Sequence, residues 1–132
     1  MGAYFGKGKR TNVYGAFLLA CFDSDNEQYQ TICKIGTGFS DENLLDFHKT
    51  LQPLELEKPR GDIDIGGAKP DVWFKPSIVW EVLAADLSLS PIYTAAQGTV
   101  SKALFYDHSQ CSRWTYIIRL TNGAYLCDFL DI

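Results

Sequence analysis

The fold is decided by residues 14–35, Tyr14-Gly15-Ala16-Phe17-Leu18-Leu19-Ala20-Cys21-Phe22-Asp23-Ser24-Asp25-Asn26-Glu27-Gln28-Tyr29-Gln30-Thr31-Ile32-Cys33-Lys34-Ile35. Tyr14 to Phe22 is too apolar for a strand with one wet face. It reads as a strand buried on both sides or curved within a closed sheet. Asp23-Ser24-Asp25-Asn26-Glu27 is a polar turn, and Tyr29 to Ile35 alternates enough to be the returning strand, so the stretch is a β-hairpin.

Upstream, Gly2-Ala3-Tyr4-Phe5 is a short strand, joined to the hairpin by Gly6-Lys7-Gly8-Lys9-Arg10-Thr11-Asn12, a flexible basic connection rich in turn formers. Downstream, Gly36-Thr37-Gly38 interrupts the sheet. Ser40 then caps a helix whose first turn holds Asp41 and Glu42, where carboxylates favour the positive end of the helix dipole. Leu44, Phe47, His48 and Leu51 follow at i, i+3, i+4 and i+7, which predicts one amphipathic helix over about 40–52, stopped by Pro53. His48 on that stripe reads as a packed side chain. Residues 53–69 read as irregular, with Pro59, Gly61, Gly66 and Gly67 as breakers, and Ile78 to Leu83 reads as a further strand. Trp114 to Leu120, Asn122-Gly123 and Ala124 to Leu130 form a hairpin around a type I′ turn, about residues 114–130. The sum is a mainly β chain with one short helix, suited to a small OB-type Greek-key barrel; alternation alone does not separate it from a sandwich.

A length of 132 residues allows one domain. With 46% hydrophobic and 21% charged residues, including 8 Phe, 7 Tyr and 3 Trp, the chain has the material for a core. Its longest apolar run, residues 16–22, is far below the ~20 residues of a membrane span, so no membrane partner is expected. Twelve Lys+Arg against 16 Asp+Glu give net −4, which argues against coating nucleic acid by bulk charge; any such binding must be local. Leu18-Leu19-Ala20-Cys21 has the look of a bacterial lipoprotein box, but Tyr14 and Gly15 break the apolar region it needs. Met1-Gly2 lacks the Ser or Thr of a myristoylation signal, Gly6 standing in that place. Cys21, Cys33, Cys111 and Cys127 show no Cys-x-x-Cys spacing and read as reduced thiols of an intracellular protein; His48 and His108 sit near no Cys pair, so no zinc site is expected.

Most motifs fail on inspection. Gly6-x-Gly8 lacks the third glycine of a dinucleotide fingerprint, and there is no P-loop. Asp23-x-Asp25-x-Glu27 begins like a calcium loop, but Gln28 holds the glycine position and Lys34 the bidentate acid position. Asp62 and Asp64 would share one face of a strand, and they read as a solvent-facing edge rather than a metal site. Arg60-Gly61-Asp62 matches an integrin-binding tripeptide by chance. What remains is Lys7, Lys9 and Arg10, interleaved with glycines, flanked by Tyr4 and Tyr14, with no acid before Asp23. Each charge can neutralise a phosphate, and glycine lets the backbone approach it; the plain alternative is a solubilising loop.

The same residues carry a resemblance. Gly2-Ala3-Tyr4-Phe5-Gly6-Lys7-Gly8-Lys9-Arg10, Tyr14 to Ala20, Thr31 to Asp41, Pro70-Asp71-Val72-Trp73-Phe74, Trp80-Glu81-Val82 and Ala85 to Tyr93 together resemble the C-terminal OB-fold domain of ATP-dependent DNA ligases, of the eukaryotic DNA ligase I kind. The resemblance covers residues 2–98, leaving 99–132 as a divergent tail expected to pack on the same domain. It implies a nuclear protein of DNA replication, repair and recombination that closes over nicked double-stranded DNA, with Lys7, Lys9, Arg10 and Tyr14 as the DNA-binding residues. It also implies a second partner, the ligase adenylylation domain, to which the OB domain swings during self-adenylylation.

Three departures qualify that picture. The chain begins where the family carries an earlier half of the first strand and, before it, the adenylylation domain. That domain's Lys-x-Asp-Gly motif, whose lysine amine attacks the α-phosphate of ATP to form a phosphoramidate, does not occur here. No catalytic residue, cofactor-binding residue or metal ligand is therefore expected, ATP and Mg2+ belonging to the complete ligase. Leu83 and Ala84 stand where the family typically has Lys-Cys. After Gly98 the family's Arg-Phe-Pro-Arg segment is replaced by Ser101-Lys102-Ala103-Leu104-Phe105-Tyr106-Asp107. Two other functions stay open on sequence, a stand-alone nucleic-acid-binding module and a non-catalytic interaction protein or partly folded fragment.

Overall fold

The computed structural model describes residues 1–80 and 90–95, together with the backbone of three strands at 82–84, 116–121 and 124–126. Strand β1 (Gly2–Phe5) pairs antiparallel with β2 (Tyr14–Asp23), which returns as β3 (Gln28–Ile35). The hairpin read from residues 14–35 is therefore present. Its turn is drawn tight by Asp23, whose carboxylate accepts from the backbone N–H of Asp25 at 3.0 Å and the side-chain amides of Asn26 at 2.7 Å and Gln30 at 3.0 Å. Glu27 takes a left-handed conformation, φ 52°, to complete the reversal.

The expected helix is α1 (Asp41–Leu51). The Ser40 side chain accepts the Asn43 N–H at 3.1 Å, satisfying one of the donors that a helix start leaves open. Leu44 and Leu51 are buried beneath it. Four further strands follow the helix: β4 (Glu55–Leu56), β5 (Ile63–Asp64), β6 (Val72–Phe74) and β7 (Val82–Ala84). Residues 53–69, read as irregular, thus contain β4 and β5, each two residues long and too short to show alternation. Of the strand read over 78–83, residues 78–80 are not strand and 82–83 lie in β7, while β6 carries too short a run to read as a strand.

The first six strands form one curled sheet in the order β4-β6-β1-β2-β3-β5, antiparallel except that β5 runs parallel to β3. With its single helix this is a mainly β architecture of the OB type. The hairpin read over 114–130 appears as β8 (Tyr116–Thr121) and β9 (Ala124–Leu126), with Thr121 opposite Ala124 and β7 paired to β8. The Asn122-Gly123 turn, the Leu83 and Ala84 side chains and the segment 101–113 lie outside the described residues.

Two bulges shape β2. Tyr4 faces Ala16 and Phe5 faces Tyr14, so Gly15 is the extra residue; at Leu19 and Ala20 the extra residue is Ile32 on β3. Beyond Gly15 every residue from Ala16 to Leu19 is buried, which is the two-sided burial that the apolar run requires. Phe17 and Leu19 enter the core with Ala3, Tyr14, Leu44, Leu51 and Phe74. Edge-to-face rings dominate it: Phe17 meets Phe39 at 5.6 Å, Phe47 at 5.7 Å and Trp80 at 4.8 Å between centroids. Segment 90–95 is fastened to β3 by Thr94, whose N–H donates to the Thr31 carbonyl at 3.0 Å while its hydroxyl receives the Thr31 N–H at 3.1 Å.

Candidate nucleic-acid interface

The basic connection between β1 and β2 is a closed loop. Gly6 N–H donates to the Val13 carbonyl at 3.0 Å at its neck, and within it Arg10 N–H reaches Lys7 O at 3.3 Å, Thr11 N–H reaches Gly8 O at 3.3 Å and Val13 N–H reaches Arg10 O at 3.2 Å. Gly8–Arg10 form one 3₁₀ turn. The glycines serve this closure in different ways. A side chain at Gly6 would meet the Arg10 carbonyl at 2.2 Å, and one at Gly15 would meet the Gly6 Cα at 2.7 Å, so the two glycines let neighbouring backbones pack. Gly8 has φ +63° with nothing near it, the conformation rather than the space requiring glycine.

The three cations of the loop are not equivalent. Lys7 and Lys9 are exposed, and among the described residues neither has an acidic partner. Arg10 turns back instead, its guanidinium bridging to the Asp41 carboxylate of α1 at 2.8 Å through both Nε and Nη2. That pair ties the loop to the helix start and cancels one of the three positive charges locally, leaving Lys7 and Lys9 as the charge offered to solvent.

Tyr14, the fourth residue expected to contact DNA, is fully buried, so its side chain offers no surface to a ligand. Its hydroxyl donates to the Glu55 carboxylate, and its ring packs on His48 at 4.6 Å and Phe74 at 5.2 Å. Burial first, then the Glu55 hydrogen bond, push its phenol well above the usual range and keep it neutral. The reason is the Gly15 bulge, which turns Tyr14 onto the inner face. Tyr4, the other flanking tyrosine, is half-buried with the Lys34 ammonium 4.1 Å above its ring. The exposed aromatic beside the loop is Phe5, which sequence reading passed over as a strand residue.

The rejected motifs have structural roles. His48 packs against Tyr14. Asp62 pairs with Arg60 at 2.8 Å on the sheet-edge segment leading into β5, which turns Arg60-Gly61-Asp62 inward on itself. The Asp23 carboxylate is held by turn donors, its pKa lowered below the usual value chiefly by the Asn26 side-chain amide. Among the described residues no three His, Cys, Asp or Glu side chains gather as a metal site, and the Cys21 thiol donates to the Gln30 carbonyl at 3.7 Å. No helix among them is long and apolar enough to cross a membrane.

A curled, mainly β sheet with one capped helix, carrying two exposed lysines on a closed glycine loop, defines an OB-type domain with a small cationic face. The chain belongs to the family described as ATP dependent DNA ligase C terminal region, which matches residues 10–120. It is 61% identical over 99 residues to DNA ligase 1 of Dictyostelium discoideum, covering 74% of this chain and 8% of that protein. It is 55% identical over 105 residues to DNA ligase 1 of Schizosaccharomyces pombe, covering 77% and 14% respectively. A DNA ligase of the archaeon Pyrobaculum neutrophilum is 41% identical over 100 residues, 76% of this chain and 17% of that protein. The chain thus spans less than a fifth of the length of these relatives.

Proposed function

We propose that this chain is the DNA-gripping OB-type portion of an ATP-dependent DNA ligase, acting on nicked double-stranded DNA in nuclear replication, repair and recombination. The observation that carries the reading is the pair Lys7 and Lys9, exposed and without an acidic partner among the described residues, on a loop whose shape is fixed by its own hydrogen bonds, in a chain of this family. A fixed loop binds phosphate without first losing conformational entropy, and two ammonium groups displace counterions from the strand they touch. Arg10 holds the loop against α1 through Asp41.

Bond making lies elsewhere. Sealing a nick through an adenylylated enzyme needs a lysine amine that takes AMP from ATP, and the family's Lys-x-Asp-Gly is not in this sequence. ATP and Mg2+ are therefore assigned to the complete ligase. The adenylylation domain is accordingly the protein partner this domain requires, and alone it binds DNA without joining it.

Fluorescence anisotropy with a labelled nicked duplex tests this. The chain binds at low salt, and Lys7→Ala with Lys9→Ala weakens binding by about tenfold while the thermal unfolding midpoint stays in place; radiolabelled ATP leaves no covalent label. Unchanged binding by the double variant, or a labelled lysine, contradicts the reading.

A further inference from the structure

Phe5 ends β1 at the neck of the basic loop. Its position is fixed on both sides: its own N–H is held by the Asp71 carboxylate at 2.8 Å, and the next N–H, of Gly6, by the Val13 carbonyl at 3.0 Å. One side of the ring leans on Tyr14, with 6.1 Å between centroids, yet 49% of the residue stays in water. A lone exposed phenylalanine is ordinary on a protein surface. This one has a cation close by in the chain, Lys7, whose backbone is extended at φ −118° and ψ 153°. Side chains two apart in extended chain project to the same side, about 6.8 Å from each other. An apolar ring seated at the end of β1 thus lies two residues before an exposed lysine that has no acidic partner among the described residues.

That spacing suits one chemistry. Along a nucleic-acid strand the phosphates alternate with sugars, so a ring set one step from a phosphate-bound lysine faces the apolar edge of a deoxyribose. Resting there requires no base to leave the stack. We infer that Phe5 is a DNA-contacting residue whose ring packs on a deoxyribose of the strand that Lys7 and Lys9 hold by its phosphates. The inference rests on the proposed DNA-binding role and adds to it a contact that removes apolar surface from water and does not depend on counterion release.

The two contributions separate by their response to salt. Against a nicked duplex, Phe5→Ala binds about fivefold more weakly at every salt concentration, and its plot of log affinity against log salt keeps the wild-type slope. Lys7→Ala with Lys9→Ala changes the slope. Because Phe5 also touches Tyr14, a second measurement leaves the ring in place: 4-fluorophenylalanine introduced at position 5 alone gives a fluorine resonance that shifts as nicked duplex is added. Wild-type affinity in a folded Phe5→Ala variant, or a fluorine signal unmoved at saturating DNA, overturns the inference while the lysine reading stands. If Phe5→Ala does not fold, the fluorine shift decides. Failure of the wild-type chain to bind any nicked duplex overturns both.

Discussion

Gly15 sets the inner surface of this domain. As the extra residue opposite the Tyr4–Phe5 step it shifts the alternation of β2 by one, so that Tyr14 and Phe17 share the core although they are three apart. A strict period of two places them on opposite faces, and the expectation that Tyr14 meets DNA rests on its place beside the basic loop and on the resemblance, neither of which registers the bulge. Arg10 misleads for a different reason: its partner Asp41 is 31 residues away in the chain, and no local pattern announces the bridge. The cationic loop itself was legible, since glycines, lysines and the lack of nearby acids are local facts. Tyr14 acts as a strut beneath that loop, so Tyr14→Phe, which removes only the hydroxyl bonded to Glu55, lowers stability by about 1 kcal/mol. In urea unfolding the midpoint falls, while affinity for nicked duplex stays at the wild-type value; a loss of affinity with no loss of stability would return Tyr14 to the binding surface.

At the scale of elements, those that signal themselves are long or carry special end chemistry. The hairpin of β2 and β3 shows through its apolar run and polar turn, α1 through Ser40 and the spacing of Leu44, Phe47 and Leu51, and the pairing of β8 with β9 through Asn122-Gly123 between them. Strands β4, β5 and β6 exist because longer neighbours offer them free edges. Leu56 faces Trp73 and Ile63 faces Tyr29, contacts with no trace in a run of two or three residues. The turn of the first hairpin makes its own prediction. Asp23 has a folded-state pKa held below its ordinary 3.8, first by the Asn26 amide and then by the backbone donors. A lowered carboxyl pKa means that the ionised form is bound more tightly in the fold, so its contribution is complete above about pH 4 and is lost as pH falls through the lowered value. Carbon-13 titration of the Asp23 carboxyl should give a midpoint below 3.8, and Asp23→Ala should lower the neutral plateau of the stability profile and flatten its acid arm, because the contribution it removes is the one present above about pH 4. An Asp23 midpoint at or above 3.8 contradicts the turn geometry.

At the scale of the whole chain, the proposed function assigns contact to this domain and chemistry to another part of the ligase. An acidic body of net −4 carries two solvent-facing lysines at one end of a curled sheet, and long-range charge opposes DNA while the loop attracts it. On the proposed function, such a surface is held by short-range contacts, phosphates on Lys7 and Lys9 and a sugar on Phe5, and relies on the remainder of the ligase for affinity and for the adenylyl group. Family membership explains why the fold class was readable as a whole: the segments at residues 2–10, 14–20 and 31–41 form β1, its loop, β2, β3 and the helix start, the parts that build both the core and the cationic face. The most direct test is the salt dependence of nicked-duplex binding by the intact chain. Two phosphate contacts predict a slope of log affinity against log salt of about −1.8, and Lys7→Ala with Lys9→Ala should bring it to near zero. A double variant that keeps the wild-type slope would show that the DNA is held somewhere else on the molecule.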